Sequence, residues 1–183
     1  RSPMFRPAGL LFLWMILAVT PGFAENWPGW RGPRGDGCSD EKDVPAMWDV
    51  PGNQHVAWKT PLPYTGHSSP IVWKDRVFVT GADEPGERRM LVAFDRHDGK
   101  IVWERAVEKS PLEKKHKLNS WASGTPATDG ERIYVTFLDE KEVRVAAYSM
   151  DGELAWDVKP GGFSSVHGFC SCPVLYNDMV IIN

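Results

Sequence analysis

Residues 93–103 read A-F-D-R-H-D-G-K-I-V-W, and a shorter version of the same pattern, A-Y-S-M-D-G-E-L-A-W, follows at residues 147–156. In both places an apolar run is followed by Asp-Gly and then by a second run that contains a Trp. Asp-Gly is typical of a tight hairpin turn, because glycine adopts a positive φ without steric cost. The pattern therefore predicts two strands joined by a turn at each place.

These hairpins belong to a longer internal repeat. Two landmarks keep the same register along the chain: the prolines Pro70, Pro126 and Pro173, and the tryptophans Trp58, Trp103 and Trp156. Each repeat holds short runs rich in Val, Ile and aromatic residues, which are typical of strands. The predicted strands are residues 71–73, 77–80, 90–94 and 101–105, then 127–128, 133–137, 143–148 and 154–158, and finally 174–176 and 179–182.

The repeat predicts an all-β fold built as a propeller. A four-stranded twisted sheet cannot cover both of its own faces, and repeats of about 40–50 residues solve this by stacking radially as blades. The Trp of each outermost strand would then pack against the neighbouring blade. A β-sandwich is the alternative, but it gives no reason for Trp and Pro to recur in register.

The first 24 residues differ from the rest and are predicted to be a secretory signal peptide. They contain two arginines, no acidic residue, an apolar run at residues 8–19 and small residues at Gly22 and Ala24. A retained membrane anchor is the alternative, although twelve apolar residues fall short of the ~17–25 that span a bilayer. We expect a periplasmic or extracellular protein, with membrane contact only through this segment if it is retained.

Composition narrows the classes of partner. The chain has 183 residues, of which 42% are hydrophobic, and this is enough for a packed core. The formal net charge of −3 gives no electrostatic reason to expect nucleic acid as a partner. Three cysteines are too few for a disulfide scaffold. The pairing of Cys38, Cys170 and Cys172 stays open.

The hairpin at residues 93–103 resembles the tryptophan-docking repeat of the pyrroloquinoline-quinone-like (PQQ-like) β-propeller family, with Asp98 where that repeat usually has Thr. The copy at residues 147–156 is weaker and has Ser149 in place of Asp. The segment W-P-G-W-R-G-P-R-G-D-G, residues 27–37, resembles the start of many exported bacterial members. The resemblance covers nearly everything after the signal peptide and is specific for the fold.

The resemblance implies a roughly eight-bladed ring, of which the chain would be an N-terminal fragment of about two and a half four-stranded blades. An extended arm at residues 25–54, carrying Trp27 and Trp30 against a blade, would precede the ring. A closing strand at residues 55–62, with its docking Trp58, would complete the last blade, whose other strands would come from the C-terminal end of the full ring. Two blades at residues 67–109 and 120–160 and a partial blade at residues 167–183 would follow.

Family members include quinoprotein dehydrogenases, which bind the quinone and calcium on the propeller axis, and exported scaffolds without a cofactor that help to assemble outer-membrane proteins. We expect a non-catalytic binding or assembly scaffold without a cofactor, and the alternative is a quinone- and calcium-dependent alcohol or sugar dehydrogenase. In Cys170-x-Cys172, Ser171 separates two cysteines that are adjacent in those enzymes. This difference favours the scaffold.

Candidate site residues lie in the segments that lead into the first strand of each blade. The three histidines His67, His116 and His167 are predicted to gather at one mouth of the central channel, with Ser68, Asn119, Trp121 and Cys170 nearby. They would bind a protein or small-molecule ligand. Imidazole and thiolate groups could also hold zinc or copper. The alternative is that these groups only satisfy hydrogen bonds of the loops and the neighbouring blade.

Other notable residues have structural interpretations. Trp58, Trp103, Trp156, Asp95, Gly99 and Gly152 are predicted to dock the blades and form their hairpins. The charged run at residues 113–117 is predicted to be a solvated loop, and a basic docking patch for an anionic surface is the alternative. The sequence has no nucleophile elbow, Walker loop or Rossmann fingerprint, so no catalytic residue is predicted.

Overall fold

A computed structural model describes residues 24–183, so the predicted signal peptide lies outside the described residues except for Ala24. The strands are β1 (Ile71–Trp73), β2 (Arg76–Asp83), β3 (Arg88–Asp95), β4 (Ile101–Lys109), β5 (Ala127–Thr128), β6 (Arg132–Asp139), β7 (Glu142–Ser149), β8 (Leu154–Gly162), β9 (Val174–Tyr176) and β10 (Met179–Ile181). Within this part of the chain no helix is long and apolar enough to cross a bilayer.

Within each sheet, strands that follow one another in the chain are hydrogen-bonded neighbours. β1–β4 and β5–β8 each form an antiparallel four-stranded sheet, and β9 pairs with β10. This arrangement confirms the predicted all-β class and a partial β-propeller of two four-stranded blades and two strands of a third. The strands are mostly longer than predicted because charged residues at their ends also pair. Arg88 Nε, for example, donates to Asp83 Oδ2 at 2.8 Å across the β2–β3 hairpin.

The main hydrophobic core lies between the first and second blades. Phe78 and Leu91 of the first blade and Ile133, Phe137 and Tyr148 of the second are buried in it. A smaller cluster, formed by Leu138, Val143, Val145 and Phe169, joins the second blade to the third. The apolar area thus removed from water stabilises the contact between sheets, since neither sheet covers its faces alone.

A tryptophan from one blade lies on the hairpin turn of the next. Trp103 of β4 donates from Nε1 to the carbonyl oxygen of Met150 at 3.0 Å. Gly152, with φ of 81°, lies beneath this indole, and a Cβ there would come within 2.8 Å of it. Trp58 repeats the contact one blade earlier, because its Nε1 donates to Arg96 O at 2.7 Å and its ring covers Gly99.

Coverage by the next blade decides how far each outer strand is buried. Trp103 on β4 is only 9% exposed, whereas Trp156 at the matching place on β8 is 36% exposed. The whole of β8 is exposed, since only β9 and β10 of the next sheet lie among residues 24–183. Trp156 makes a tilted ring contact with Tyr134 at 5.9 Å between centroids.

The closing strand at residues 55–62 stays a prediction, because the strands expected to pair with it are not among residues 24–183. Residues 56–62 pair with no other strand within the described ranges, although Trp58 among them docks on the first blade. A strand exists only when a neighbour accepts its backbone hydrogen bonds. The extended sequence pattern therefore identifies the docking tryptophan but cannot supply the neighbouring strand.

The arm at residues 25–54 contains turns rather than one extended run, with positive φ at Arg31 and Gly32 among others. Trp27 bridges β1: its N–H donates to Val72 O at 2.8 Å, and its carbonyl oxygen accepts from Val72 N at 2.9 Å. Pro28 O accepts from Thr128 N of β5 at 2.8 Å. The arm therefore runs along the free edges of β1 and β5, the innermost strands of their blades.

Trp30 departs from the expectation that it is buried against a blade, since it is 60% exposed. Gly29 lies against Ala127 of the second blade, and a turn follows in which Gly32 N donates to Gly29 O at 3.0 Å. Gly32 then packs its backbone on the Trp27 indole. Trp27 is thus held between the arm and the blade, and Trp30 is left lining an open groove.

Replacing the docking tryptophan tests the blade-to-blade contact. We expect Trp103→Ala to lower the free energy of unfolding by about 3–5 kcal/mol, because it opens a cavity in the core between blades. Trp48→Ala is the matched control, since Trp48 is largely exposed and its loss should change stability by no more than about 0.5 kcal/mol. Urea denaturation followed by tryptophan fluorescence measures both, and equal losses would contradict the docking role.

Candidate functional site

Three segments at one end of the blades lead into the first strands, and we call residues 65–69, 119–125 and 166–172 the mouth loops. Hydrogen bonds tie these loops from blade to blade. Ser69 N donates to Thr125 Oγ1 at 2.9 Å, and Thr125 N donates to Cys172 Sγ at 3.2 Å. Thr125 and Cys172, which each precede a repeated proline, thus offer a side-chain acceptor to the loop of the preceding blade.

A second set of hydrogen bonds runs in parallel from the second strands. Thr80 Oγ1 of β2 donates to Gly124 O at 3.0 Å, and Thr136 Oγ1 of β6 donates to Ser171 O at 2.6 Å. The sequence analysis did not predict that these side chains link the blades. For the first set of hydrogen bonds a signal was present in the sequence, since Ser69, Thr125 and Cys172 all precede a proline and all carry a hydroxyl or thiol.

The structure brings two of the three predicted histidines together. The rings of His116 and His167 lie 5.8 Å apart between centroids. His116 N donates to His167 O at 3.3 Å, and Asn119 Nδ2 donates to the same oxygen at 2.7 Å. The second and third mouth loops are therefore fastened to each other at this point.

His67 lies in a separate pocket of about 360 Å³ on the same mouth. Its backbone N–H donates to Ala122 O at 3.0 Å, while its side chain is exposed. Asn119 and Trp121 line this pocket as well. The three histidines thus form one pair and one separate group, because the loops before the three prolines differ in length.

The two remaining predicted site residues have different surroundings. Ser68 serves the loop itself, because its Oγ donates to Thr80 O and accepts from Thr80 N, both at 3.1 Å. Cys170 is an exposed thiol on the wall of a wider groove of about 800 Å³, which His67 and Trp30 also line. Cys172, the acceptor for Thr125, lines the same groove.

Metal binding at the mouth stays a hypothesis. Among residues 24–183 no three His, Cys, Asp or Glu side chains are grouped so that they could hold one ion. In that range Cys38, Cys170 and Cys172 are free thiols. Imidazole and thiol groups are therefore present at the mouth only as a pair of rings and as separate side chains.

The segment before the second mouth loop is held by a buried ion pair. Arg89 of β3 is fully buried and donates to Ser110 O at 2.6 Å and to Pro111 O at 3.2 Å. The same guanidinium pairs with the carboxylate of Glu113, whose side chain is only 7% exposed. The expectation of a wholly solvated charged run is thus wrong at Glu113, because a buried cation 24 residues earlier neutralises it.

Two further contacts shape this segment. Trp121 Nε1 donates to Glu113 O at 2.7 Å, and Lys115 Nζ lies 4.2 Å from the centre of the Trp121 ring. An ammonium group over an indole face is attracted by the ring quadrupole. The loop backbone is therefore fixed from the inside, and Lys115 covers Trp121 in the pocket that contains His67.

Tyr64 lies beside the same pocket and stays protonated. Partial burial raises the pKa of its phenol, and the carboxylate of Glu104, which accepts the phenol hydrogen bond at 2.9 Å, raises that pKa further. The hydroxyl thus acts as a hydrogen-bond donor at neutral pH. It joins the segment before the first mouth loop to β4.

Removing the buried cation tests how the segment is held. We expect Arg89→Leu to cost about 3–5 kcal/mol of unfolding free energy, since it leaves the Glu113 carboxylate buried without its partner. Arg88→Leu is the matched control: its ion pair with Asp83 is partly exposed and should be worth less than about 1 kcal/mol. Hydrogen exchange should also increase at residues 110–121 in Arg89→Leu alone. Equal effects of the two changes would contradict this role.

A second change tests the hydrogen bonds between blades. We expect Thr136→Val, which keeps the side-chain shape, to cost about 1–2 kcal/mol because Ser171 O loses its buried donor. Thr65→Val is the control, since Thr65 is exposed and water can replace its hydrogen bonds. Urea denaturation measures both, and a neutral Thr136→Val would show that the bond adds nothing to stability.

Comparison with known proteins agrees with this architecture. A family model described as outer membrane protein assembly factor BamB matches residues 51–114 and 91–183. No curated protein sequence matches the chain. Among solved structures, BamB from Moraxella catarrhalis superposes with a TM-score of 0.55 at 14% identity, over 71% of this chain and 38% of that chain.

Two dehydrogenases are also similar in part. A quinohemoprotein alcohol dehydrogenase, ADHIIG from Pseudomonas putida HK5, has a TM-score of 0.48 at 24% identity, over 69% of this chain and 18% of that chain. A europium-containing methanol dehydrogenase has a TM-score of 0.38 at 17% identity, over 51% and 15%. The chain spans less than two fifths of the BamB structure and less than a fifth of each dehydrogenase. Because the family match runs through residues 51–183 and the blades agree with it, the chain belongs to the PQQ-like β-propeller family whose model is described as outer membrane protein assembly factor BamB.

Proposed function

We propose that this chain is part of an exported, non-catalytic propeller that binds a protein partner in the periplasm or outside the cell. Its working surface would be the three mouth loops. The family description, an assembly factor for outer-membrane proteins, supports both the exported location and the binding of proteins. The chain spans only 38% of the BamB structure, so any activity that needs the whole ring is proposed here as well.

The observation that carries the proposal is the course of the arm. Backbone hydrogen bonds from Trp27 and Pro28 occupy the inner edges of β1 and β5. These are the edges that face the axis in a propeller, where the related dehydrogenases hold their quinone. The arm therefore takes the inner wall of two blades, while the mouth loops remain open to a large partner.

The cysteines give independent support. A cysteine pair adjacent in sequence lies against the quinone in the related dehydrogenases, whereas Ser171 separates Cys170 from Cys172 here. Cys172 already has a structural role, because its Sγ accepts from Thr125 N. These residues do not fit a quinone site of that kind, and no catalytic step is assigned to them.

The proposal predicts that a protein partner contacts the mouth in the native envelope. A photo-crosslinking amino acid placed at His67 or at Val166 of the full-length protein should capture the same envelope protein from both positions. Placed at Lys100, on the β3–β4 turn at the opposite end of the blade, it should not capture that protein. Mass spectrometry of the crosslinked peptides identifies the captured protein at each of the two mouth positions. Unrelated captures at the two positions, or equal capture at Lys100, would contradict a binding surface at the mouth.

A second experiment addresses the dehydrogenase. Full-length protein is mixed with calcium and pyrroloquinoline quinone, quinone binding is followed by tryptophan fluorescence, and dye-linked oxidation of alcohols and sugars is measured. We expect no saturable quinone binding and no turnover, because the arm covers the inner edges. Saturable binding with turnover would overturn the scaffold proposal and favour the enzyme.

A further inference from the structure

One surface of the mouth combines positive charge with exposed aliphatic side chains. It is formed by residues of the third mouth loop and by the residues just before the second mouth loop. We call Lys114, His116, Lys117, Leu118, Val166 and His167 the basic patch. All six side chains are exposed to solvent.

The sign of the basic patch follows from the burial of Glu113. In sequence this acid stands directly before Lys114, so the run E-K-K-H-K reads as a mixed charged segment. In the fold the Glu113 carboxylate turns inward to the buried Arg89, and Lys115 lies over Trp121. The acid thus contributes nothing to the exposed side of the run, where Lys114 and Lys117 remain. Glu84 lines the neighbouring pocket with Lys115, and its Oε1 accepts from Thr65 Oγ1 at 3.0 Å.

Two apolar side chains stand out within this charged surface. Leu118 is 76% exposed and Val166 is 83% exposed. Leu118 directly precedes the second mouth loop and Val166 begins the third, and the His116–His167 contact and the Asn119 hydrogen bond hold these two segments together. Two exposed aliphatic groups on adjoining segments with charged residues around them match the apolar centre and polar rim of a protein interface.

The two loops are held in a fixed relation. Gly168 has φ of 87°, and a Cβ on it would lie 2.9 Å from both Asn119 Nδ2 and Lys115 Cβ. The loops therefore touch backbone to side chain, and binding has no need to order them first. A surface ordered in advance loses less entropy when it binds.

We infer that the basic patch binds an acidic segment of a partner protein that also carries apolar side chains. The inference rests on the proposed binding function and names the chemistry of the partner. Charge complementarity supports it, because the patch is positive on a chain whose net charge is −3. An anionic membrane is less suitable, since lipid-binding patches usually need about 4–8 clustered Lys and Arg, and this one exposes two lysines.

Charge reversal tests the inference on the full-length protein. The probe is a fluorescein-labelled peptide in which Glu-Leu-Ser-Asp is repeated three times, and its neutral counterpart has Gln and Asn in place of the acids. We expect the acidic peptide to bind at least about tenfold more tightly than the neutral one. Lys114→Glu with Lys117→Glu should weaken that binding by about tenfold or more. Lys42→Glu with Lys74→Glu, the same change in charge away from the mouth, should leave it within about twofold.

The apolar part of the patch has its own variant. Leu118→Ala with Val166→Ala should weaken binding of the acidic peptide by about threefold or more while leaving stability unchanged, because both side chains are already in water. Acidic-peptide binding that charge reversal at residues 114 and 117 does not weaken would overturn the inference. So would the absence of acidic-peptide binding below about 1 mM.

Vesicles of phosphatidylglycerol and phosphatidylcholine test the competing surface. If they bind the protein in preference to the peptide, and charge reversal at residues 114 and 117 abolishes this, the inference is overturned in favour of a membrane. Crosslinking from His67 and Val166 distinguishes the proposed binding of a protein partner from the inferred acidic chemistry of that partner. Capture of one partner that the reversed variant still binds would overturn only the acidic chemistry, whereas failed capture would overturn the binding function itself.

Discussion

The fold depends on an indole lying flat on a glycine turn. Trp58 covers Gly99 and Trp103 covers Gly152, each with an Nε1 hydrogen bond to a carbonyl oxygen of the same turn. The indole is a large, rigid apolar group, and glycine is the one residue type that leaves room for it in the turn. Because this contact recurs at the same place in consecutive sheets, it fixes how far apart they stand and how they are rotated. The core between the blades then fills the space that this contact sets.

At the mouth end of the blades, hydroxyl and thiol groups join one blade to the next. Ser69, Thr125 and Cys172 are linked in sequence by backbone-to-side-chain hydrogen bonds, while Thr80 and Thr136 bind the adjacent carbonyl oxygens. Buried polar groups of this kind need partners, and here the next blade supplies them. The mouth loops are therefore held by the ring geometry itself. A surface built on such loops keeps its shape without a ligand.

The blades were predictable because their signals are local: an Asp-Gly turn, a Trp a few residues later and alternating apolar runs. The interactions that the sequence did not reveal join residues distant in the chain. Nothing near Glu113 indicates that Arg89 will pair with it in the interior, and nothing near Trp30 indicates that its ring will stay exposed. Residues 55–62 have the composition of a strand, but composition does not indicate which strand would pair with them. The histidines show the same limit, since unequal loop lengths put His116 beside His167 and His67 in another pocket.

The docking contact also has a direction along the chain. Each indole comes before the turn that covers it, by 38 residues for Trp58 to Arg96 and by 47 for Trp103 to Met150. During synthesis, a finished sheet therefore keeps its outer indole in water until the following sheet has emerged. Each new sheet packs its turn on the indole of the sheet before it. At each stage one indole, on the last folded sheet, is still unburied. A propeller that folds in this order exposes one docking indole at a time, on the last sheet that has folded. A chaperone would bind there.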